Sequence, residues 1–271
     1  MIRIKEVAGW TLVEHRDHAR LAGAFASHWG NDAFAAPEPR ADVLEAVARH
    51  DDAWAERDAR PVLTRAGLPG AFSHELVGTY SAFEEIDLAD YLAVRGRATE
   101  AVAADNPYAA LLISMHTVNL LTEQADLRGL TVEDRARHGE FVAGQRRRQG
   151  ELTAHLRAAG RAADVEPAPL KRAFEFLQVC DNLSLVTCVR YPQPRQLRHL
   201  HPRREGPPVP LLCTPLGDDR YRIAPFPFDR DELPFTVPGR RVPGERFAND
   251  EEFRAAYAAA PVVPLALRLV R

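Results

Sequence analysis

The sequence predicts a mainly α-helical protein: a helical bundle with a β-hairpin at its N-terminus and a β-rich extension at its C-terminus. Apolar residues recur at the spacing of one helix face in successive segments of residues 18–189. Residues 1–15 alternate around a central Ala-Gly pair, which is typical of a short hairpin. Beyond residue 191, prolines crowd the chain and short alternating runs replace the helical pattern. We therefore predict two units, residues 1–191 and residues 192–271, packed together.

The composition is that of a soluble globular protein, and it excludes several classes. Of the 271 residues, 46% are hydrophobic and 27% are charged, which is ordinary for a chain with a full core. The net charge of −3 gives no basic field that would attract nucleic acid. No apolar run reaches membrane-spanning length, and residues 1–6 lack the apolar core of a secretory signal. Three cysteines without a CxxC pattern favour a reduced, cytoplasmic protein.

Two helices are predicted directly after the hairpin. Asp17 is the candidate N-cap of a helix over residues 18–29, which Gly30 ends. The second helix is predicted over residues 40–54, because its apolar side chains recur three or four positions apart. Residues 58–75 are rich in proline and glycine and are expected to form a loop.

Four more helices are predicted in the rest of the first unit. One lies near residues 87–104. The next begins at Asn106 and Pro107, because asparagine is a good cap and proline fits the first helical turn. Residues 131–159 form a long charged helix that opens with a capping-box pattern. The last helix covers residues 170–189 and follows two prolines.

The C-terminal extension is predicted to contain strands and one short helix. Residues 209–214 and 220–224 alternate in hydrophobicity, as half-buried strands do. Asn249 is the candidate cap of a helix that ends at residue 259. Residues 262–270 form the last predicted strand.

Five polar side chains fall on or beside the apolar faces of these helices and form the candidate functional site. They are His18, His50, Asp51, His116 and Asp181. A buried imidazole or carboxylate is costly unless something pairs with it, and one bound metal ion satisfies several such groups at once. Histidine nitrogen and carboxylate oxygen bind Mn, Fe, Zn, Ni, Co and Mg. The sequence therefore predicts one or two divalent metal ions; the alternative is a set of core residues with hydrogen-bond partners of their own.

The order of these residues resembles the HD-domain superfamily of metal-dependent phosphohydrolases. In that pattern a histidine in an early helix precedes a His-Asp pair in the next helix, and an aspartate follows in a late helix. His18, the pair His50-Asp51 and Asp181 match those positions in turn, and His116 falls where an intermediate histidine occurs. The chain is also similar to a bacterial family of unknown function with the same His-Trp-Gly-Asn, His-Asp-Asp and Ser-Met-His-Thr segments.

The resemblance implies an HD-like helical bundle and a phosphohydrolase that acts on a small phosphate ester or a nucleotide. It implies that His18, His50, Asp51 and Asp181 are metal ligands, and that Asp51 also orients the attacking water. It implies that His116 is either a ligand or a donor to a substrate oxygen. Asp51 and His116 are therefore the predicted catalytic residues.

Two features depart from the superfamily pattern. Asp52, Ala53 and Trp54 follow the His-Asp pair, where an apolar residue and a glycine are usual. Only one intermediate histidine is clear, whereas two-metal members often have two, and His28 and His74 are the candidates for the second. The number of ions is therefore left open.

Two other functions are compatible with the same residues. Some HD folds hold two irons and oxidise their substrates, so the chain could be a di-iron oxygenase. It could also be a non-catalytic metal-binding or regulatory protein, which a fully protein-ligated ion would favour because catalysis needs an open coordination position.

The expected partner is a small phosphorylated molecule, with no nucleic acid and no membrane, and a homodimer is left open. A basic segment, residues 195–204, could bind a substrate phosphate through arginines such as Arg195 and Arg198. A solvated loop is the commoner role of such a segment, and the absence of interleaved aromatic residues argues against a nucleic-acid surface.

Overall fold

The computed structural model of the protein describes residues 1–77, 81–82 and 87–271. About 49% of the chain is helical and 21% lies in strands. The predicted fold class is therefore wrong: the protein is not a mainly α-helical, HD-like bundle, because helices pack beside a seven-stranded mixed sheet. That sheet contains both the N-terminal hairpin and the C-terminal strands, which the sequence pattern presented as separate features.

The helices and strands are numbered in chain order. The helices of the described ranges are α1 (His15–Ser27), α2 (Arg40–Arg49), α3 (Ala55–Asp58), α4 (Leu88–Ala103), α5 (Pro107–Glu123), α6 (Val132–Ala158), α7 (Pro167–Cys188) and α8 (Asp250–Ala259). The strands are β1 (Ile2–Glu6), β2 (Gly9–Val13), β3 (Ser81–Ala82), β4 (Ala125–Asp126), β5 (Arg195–Gln196), β6 (Leu212–Gly217), β7 (Arg220–Ala224), β8 (Glu232–Pro243) and β9 (Val262–Val270).

The large sheet has the strand order β1-β2-β8-β9-β7-β6-β5, and only the pair β7–β9 is parallel. Its long strand β8 was not predicted, because it contains three prolines. It pairs with β9 over residues 232–240 and with β2 over residues 240–243, so only Arg240 has partners on both sides. The prolines therefore occupy positions with one unpaired edge, where a missing N–H is tolerated.

Several helix ends differ from the predicted ones; α7, for example, begins at Pro167 rather than at residue 170, because proline fits the first helical turn. Helix α1 begins at His15, with Glu14 as its N-cap. Asp17 therefore lies in the first turn, where its carboxylate interacts favourably with the positive end of the helix dipole. Helix α2 ends at Arg49 rather than at residue 54, and a 3₁₀ turn follows. The predicted cap Asn106 is confirmed, since its side chain accepts a hydrogen bond from the N–H of Ala109 at 2.9 Å.

Helix α1 lies between the sheet and the other helices, in contact with α2, α7 and β8. On the sheet side, the ring of Phe25 meets that of Phe235 with centroids 4.8 Å apart. On the helix side, Gly23 faces Ala48 of α2, and a Cβ at Gly23 would lie 2.6 Å from that of Ala48. Only glycine permits this close approach, which brings α1 near the C-terminal end of α2.

None of the helices in the described ranges combines the length and the apolar character that a membrane crossing requires.

Candidate metal centre

The structure brings all five predicted site residues together. His18 comes from α1, His50 and Asp51 from the end of α2, His116 from α5 and Asp181 from α7. Each is buried, with between 0% and 7% of its surface exposed. The ring of His50 is central, since its centroid lies 5.3 Å from that of His18 and 5.2 Å from that of His116.

His50 has one ring nitrogen with a partner and one without. Its Nδ1 lies 2.8 Å from the carbonyl oxygen of Val47 and donates to it. Its Nε2 is buried and makes no hydrogen bond with any described residue. That atom lies 3.3 Å from Oδ1 of Asp181 and 3.8 Å from Oδ2 of Asp51, so it faces two carboxylates without the alignment of a hydrogen bond.

His18 repeats this arrangement with a different acceptor. The hydroxyl of Ser184 donates to the carbonyl oxygen of Asp181 at 2.8 Å, so its oxygen is left to accept from Nδ1 of His18 at 2.9 Å. Nε2 of His18 then lies 3.0 Å from Oδ2 of Asp51. A histidine with Nδ1–H fixed by an oxygen and Nε2 directed at other ligand groups has the usual environment of a metal-binding imidazole.

Asp51 is held by an arginine that the sequence analysis did not select. Its Oδ1 accepts a hydrogen bond of 2.6 Å from Arg95, which also packs over the ring of Trp54 at 5.2 Å. Both members of this ion pair are buried. The signal for Arg95 was present in the sequence, since it lies in phase with the apolar residues Leu88 and Leu92 of α4.

The charges of the cluster shift the pKa values of its members. Burial opposes the charged form of His50, but the carboxylates of Asp51 and Asp181 outweigh it and raise its pKa to about 9. Burial likewise opposes an ionised Asp181, but His50 lowers the pKa of Asp181 to about 2. For Asp51, the charges of Arg95 and His50 overcome burial and hold its pKa well below the usual range. Burial lowers the pKa of His116 to about 3, so this ring is neutral at pH 7.

Two groups of three potential ligands occur, and they share His50. One contains His18, His50 and Asp51, the other His50, His116 and Asp181, and within each group the ligand atoms lie within 4.8 Å of one another. Because Nδ1 of His50 already donates to a carbonyl oxygen, only its Nε2 is left to bind an ion. The histidine and aspartate side chains, together with the buried Nε2 that has no hydrogen-bond partner, fit a divalent ion. Because both groups need the same nitrogen of His50, the site fits one ion better than two.

The centre opens into a cavity of about 180 Å³. His18, Asp51, His116 and Asp181 line its polar end. Apolar side chains line much of the rest, namely Phe72, Leu76, Val77, Leu120, Leu185 and Val186. Arg198, Gln124 and Asn182 add polar groups to the wall. The cluster is therefore accessible to a small molecule from one side.

The other predicted candidates lie elsewhere, with one exception. His28 pairs with Asp229 at 3.0 Å and does not line the cavity. The side chain of His74 lies outside the described part of the structure. Of the basic segment, only Arg198 lines the cavity, whereas Arg204 donates to the backbone oxygen of Asn31 near the surface. Long polar side chains such as Gln124 carry no sequence signal that would have selected them.

A family model described as "Protein of unknown function (DUF3891)" matches residues 1–244. No curated protein and no solved structure matches the chain.

Proposed function

The chain belongs to the DUF3891 family, and we propose that it is a metal-dependent hydrolase of small phosphate esters. One observation carries the proposal: Nε2 of His18 and Nε2 of His50 are both directed at carboxylate oxygens in a buried site. The carboxylates attract positive charge to these nitrogens, which a proton on His50 supplies in the metal-free protein and a divalent cation can supply in its place. A divalent cation supplies that charge to all of these groups at once.

The proposed ligands are His18, His50, Asp51 and Asp181, the set that the resemblance to the HD-domain superfamily also implies. A bound divalent ion would lower the pKa of a water molecule and polarise a phosphoryl oxygen. The adjoining cavity favours catalysis over a closed structural site, because substrate and water can reach the cluster from that side.

Other residues of the site have separate roles in the proposed reaction. Arg95 keeps Asp51 ionised and occupies its Oδ1, so Oδ2, which faces Nε2 of His18, is the oxygen that would both bind the ion and accept a hydrogen bond from the attacking water. His116 is neutral and faces the cavity, where it can donate to an oxygen of the phosphate. The apolar wall, which includes Leu120 and Leu185, excludes water around the reacting group.

The size of the cavity favours a small ester over a nucleotide. A volume of about 180 Å³ lies below the range of about 300–1,000 Å³ that is usual for small-molecule pockets. A phosphate with a compact apolar alcohol or phenol matches both this volume and the apolar wall. We further propose a cytoplasmic location, which the three unpaired buried cysteines favour.

The two alternatives have less support. A di-iron oxygenase needs ligands for two ions, and the two ligand groups depend on the same nitrogen of His50. A non-catalytic protein needs no cavity beside its ion. We therefore retain hydrolysis as the proposal that these observations favour.

Metal analysis of the purified protein, with matched aspartate variants, tests the proposal. We expect about one divalent ion per chain, lost in Asp51→Asn and Asp181→Asn but retained in Asp229→Asn, whose carboxylate pairs with a surface histidine. Phosphate release from phenyl phosphate, with added Mn²⁺, Ni²⁺ or Co²⁺, should be lost in the same two variants. Equal metal content in Asp51→Asn and the unaltered protein would contradict the site. Equal phosphate release by both would contradict the hydrolase.

A further inference from the structure

A chain of hydrogen bonds links Arg198, in the cavity wall, to His116. The guanidinium of Arg198 donates to Oε1 of Gln124 at 2.6 Å. The amide nitrogen of Gln124 lies 3.4 Å from Oε1 of Gln178, and the amide nitrogen of Gln178 lies 2.7 Å from Nδ1 of His116. Two glutamines, Gln124 at the C-cap of α5 and Gln178 in α7, thus connect a cation to the imidazole.

The direction of every bond in this chain follows from the arginine. A guanidinium has five N–H donors and no acceptor, so the atom of Gln124 that it contacts must be oxygen. The other end of that amide is then NH₂, and its two protons serve Asn119, at 2.7 Å, and Gln178. Gln178 accepts through its oxygen and must donate through its nitrogen, so Nδ1 of His116 is an acceptor.

This polarity fixes the tautomer of His116. A neutral imidazole that accepts at Nδ1 carries its single proton on Nε2. Nε2 has no hydrogen-bond partner among the described residues, and the side chain lines the cavity. The nitrogen that would reach an ion therefore carries a proton instead of a free lone pair, and it presents a donor to the cavity.

Arg198 presents further donors to the same space. It lies beyond the last helix of the predicted bundle, in a half-buried position. No carboxylate lies within ion-pair distance of its guanidinium in the part of the chain that the structure describes. Its N–H groups other than the one bound to Gln124 are thus free to bind an oxyanion.

We propose that His116 and Arg198 form an oxyanion-binding subsite of the cavity, in which His116 is a hydrogen-bond donor through Nε2 and not a metal ligand. The identification of the anion as the phosphate of an ester rests on the proposed function. Arg198 acts on the anion directly, and through Gln124 and Gln178 it also positions the proton of His116. Gln178 is a positioning residue, because it reaches the anion only through the imidazole.

The tautomer is measurable by nitrogen NMR of the histidine ring in metal-free protein. We expect the proton of His116 on Nε2. In Gln178→Glu the carboxylate can only accept, so the proton should move to Nδ1. Gln149→Glu, a glutamine of α6 outside the chain of bonds, should leave His116 unchanged. A proton on Nδ1 in the unaltered protein would overturn the inference, whatever the variants do.

Anion binding is measurable by calorimetry with inorganic phosphate, again after removal of metal. Arg198→Gln should weaken phosphate binding about ten-fold or more, as the loss of a hydrogen bond to a charged group does. Arg203→Gln, which alters an exposed arginine of the same segment, should bind phosphate as the unaltered protein does. Absence of phosphate binding by the unaltered protein, or equal binding by Arg198→Gln, would overturn the subsite.

Metal content separates this inference from the proposed function. We expect His116→Gln to keep its ion, whereas Asp181→Asn loses it. Loss of the ion in both variants would make His116 a ligand and overturn the subsite while the metal centre stands. If neither the unaltered protein nor any variant binds a metal ion, the proposed function is wrong. The tautomer and phosphate measurements then still decide whether His116 and Arg198 form the subsite.

Discussion

Two of the buried polar clusters among the described helices differ in whether their members satisfy one another. In the first, between α4, α5 and α6, Oε1 of Gln145 accepts from Thr99 at 3.3 Å and from Ser114 at 2.7 Å. Gln149 donates to the hydroxyl of Ser114 at 3.1 Å. Every group there is neutral, and donors meet acceptors. In the candidate metal centre the side chains of Asp51, Asp181 and Arg95 are charged, and Nε2 of His50 makes no hydrogen bond with any described residue.

The difference separates structural polar residues from a ligand site. Buried polar groups in folded proteins are nearly always paired, so an unpaired one calls for an explanation. His138 is a useful reference, because it is buried and its Nε2 donates to the carbonyl oxygen of Leu121 at 3.0 Å. The neutral cluster and His138 have the hydrogen-bond partners that they need, whereas the carboxylates around His50 require a positive charge, which a proton or a metal ion can supply.

The largest expected effect is on the stability of Asp51→Ala. The substitution leaves Arg95 buried without its partner, which should reduce the free energy of unfolding by about 3–5 kcal/mol. Urea unfolding of the metal-free proteins measures this loss. The double variant Asp51→Ala with Arg95→Leu should recover much of it, since the unpaired charge is gone. If Asp51→Ala is as stable as the unaltered protein, the pair of Asp51 and Arg95 does not stabilise the fold, and the proposed difference between the two clusters is wrong.

The second prediction separates the clusters by their response to metal. Added Mn²⁺ at about 100 times its Kd should stabilise the unaltered protein by about 2.7 kcal/mol, because it binds only the folded state. His50→Gln should show no such gain in thermal unfolding. A gain of the same size in His50→Gln would mean that Mn²⁺ binds elsewhere on the protein.

The helical part of the fold was largely predictable, because helix periodicity and caps are local. The predicted starts at Asn106 and Thr131 agree with α5 and α6, and the predicted last strand, residues 262–270, agrees with β9. The end of α2 was not predictable from periodicity, since its apolar spacing continues into the 3₁₀ turn. Strand β8 was missed because its prolines argue against a strand unless its unpaired edges are known.

The candidate site was predictable to the extent that its residues lie in phase with the core. His18, His116 and Asp181 each occupy an inward position of a helix, and the structure places them together. Arg95 satisfies the same criterion and was overlooked. The glutamines that connect Arg198 to His116 were beyond sequence reasoning, because their role depends on contacts between distant segments.

The third prediction concerns pH. Burial opposes a charged His50, but Asp51 and Asp181 raise its pKa to about 9, so the metal-free protein holds a proton there at pH 7. This proton stabilises the fold fully below the unfolded pKa near 6.5 and ceases to do so as the pH rises through about 9. A metal ion must displace it, so affinity for Mn²⁺ should rise about ten-fold per pH unit between pH 7 and 9 and then level off. Calorimetry in buffers of different ionisation enthalpy should detect the released proton. A pH-independent affinity over that range would contradict protonation of His50.

The smallest expected effect belongs to the satisfied cluster. Ser114→Ala removes the donor to Gln145 and the acceptor for Gln149, which should reduce the free energy of unfolding by about 1 kcal/mol. Because this cluster holds no ion, the stabilisation that Mn²⁺ gives should be the same as in the unaltered protein. Urea unfolding with and without Mn²⁺ measures both quantities on one sample. A reduced response to Mn²⁺ in Ser114→Ala would show that the two clusters are coupled through α5, which carries both Ser114 and His116.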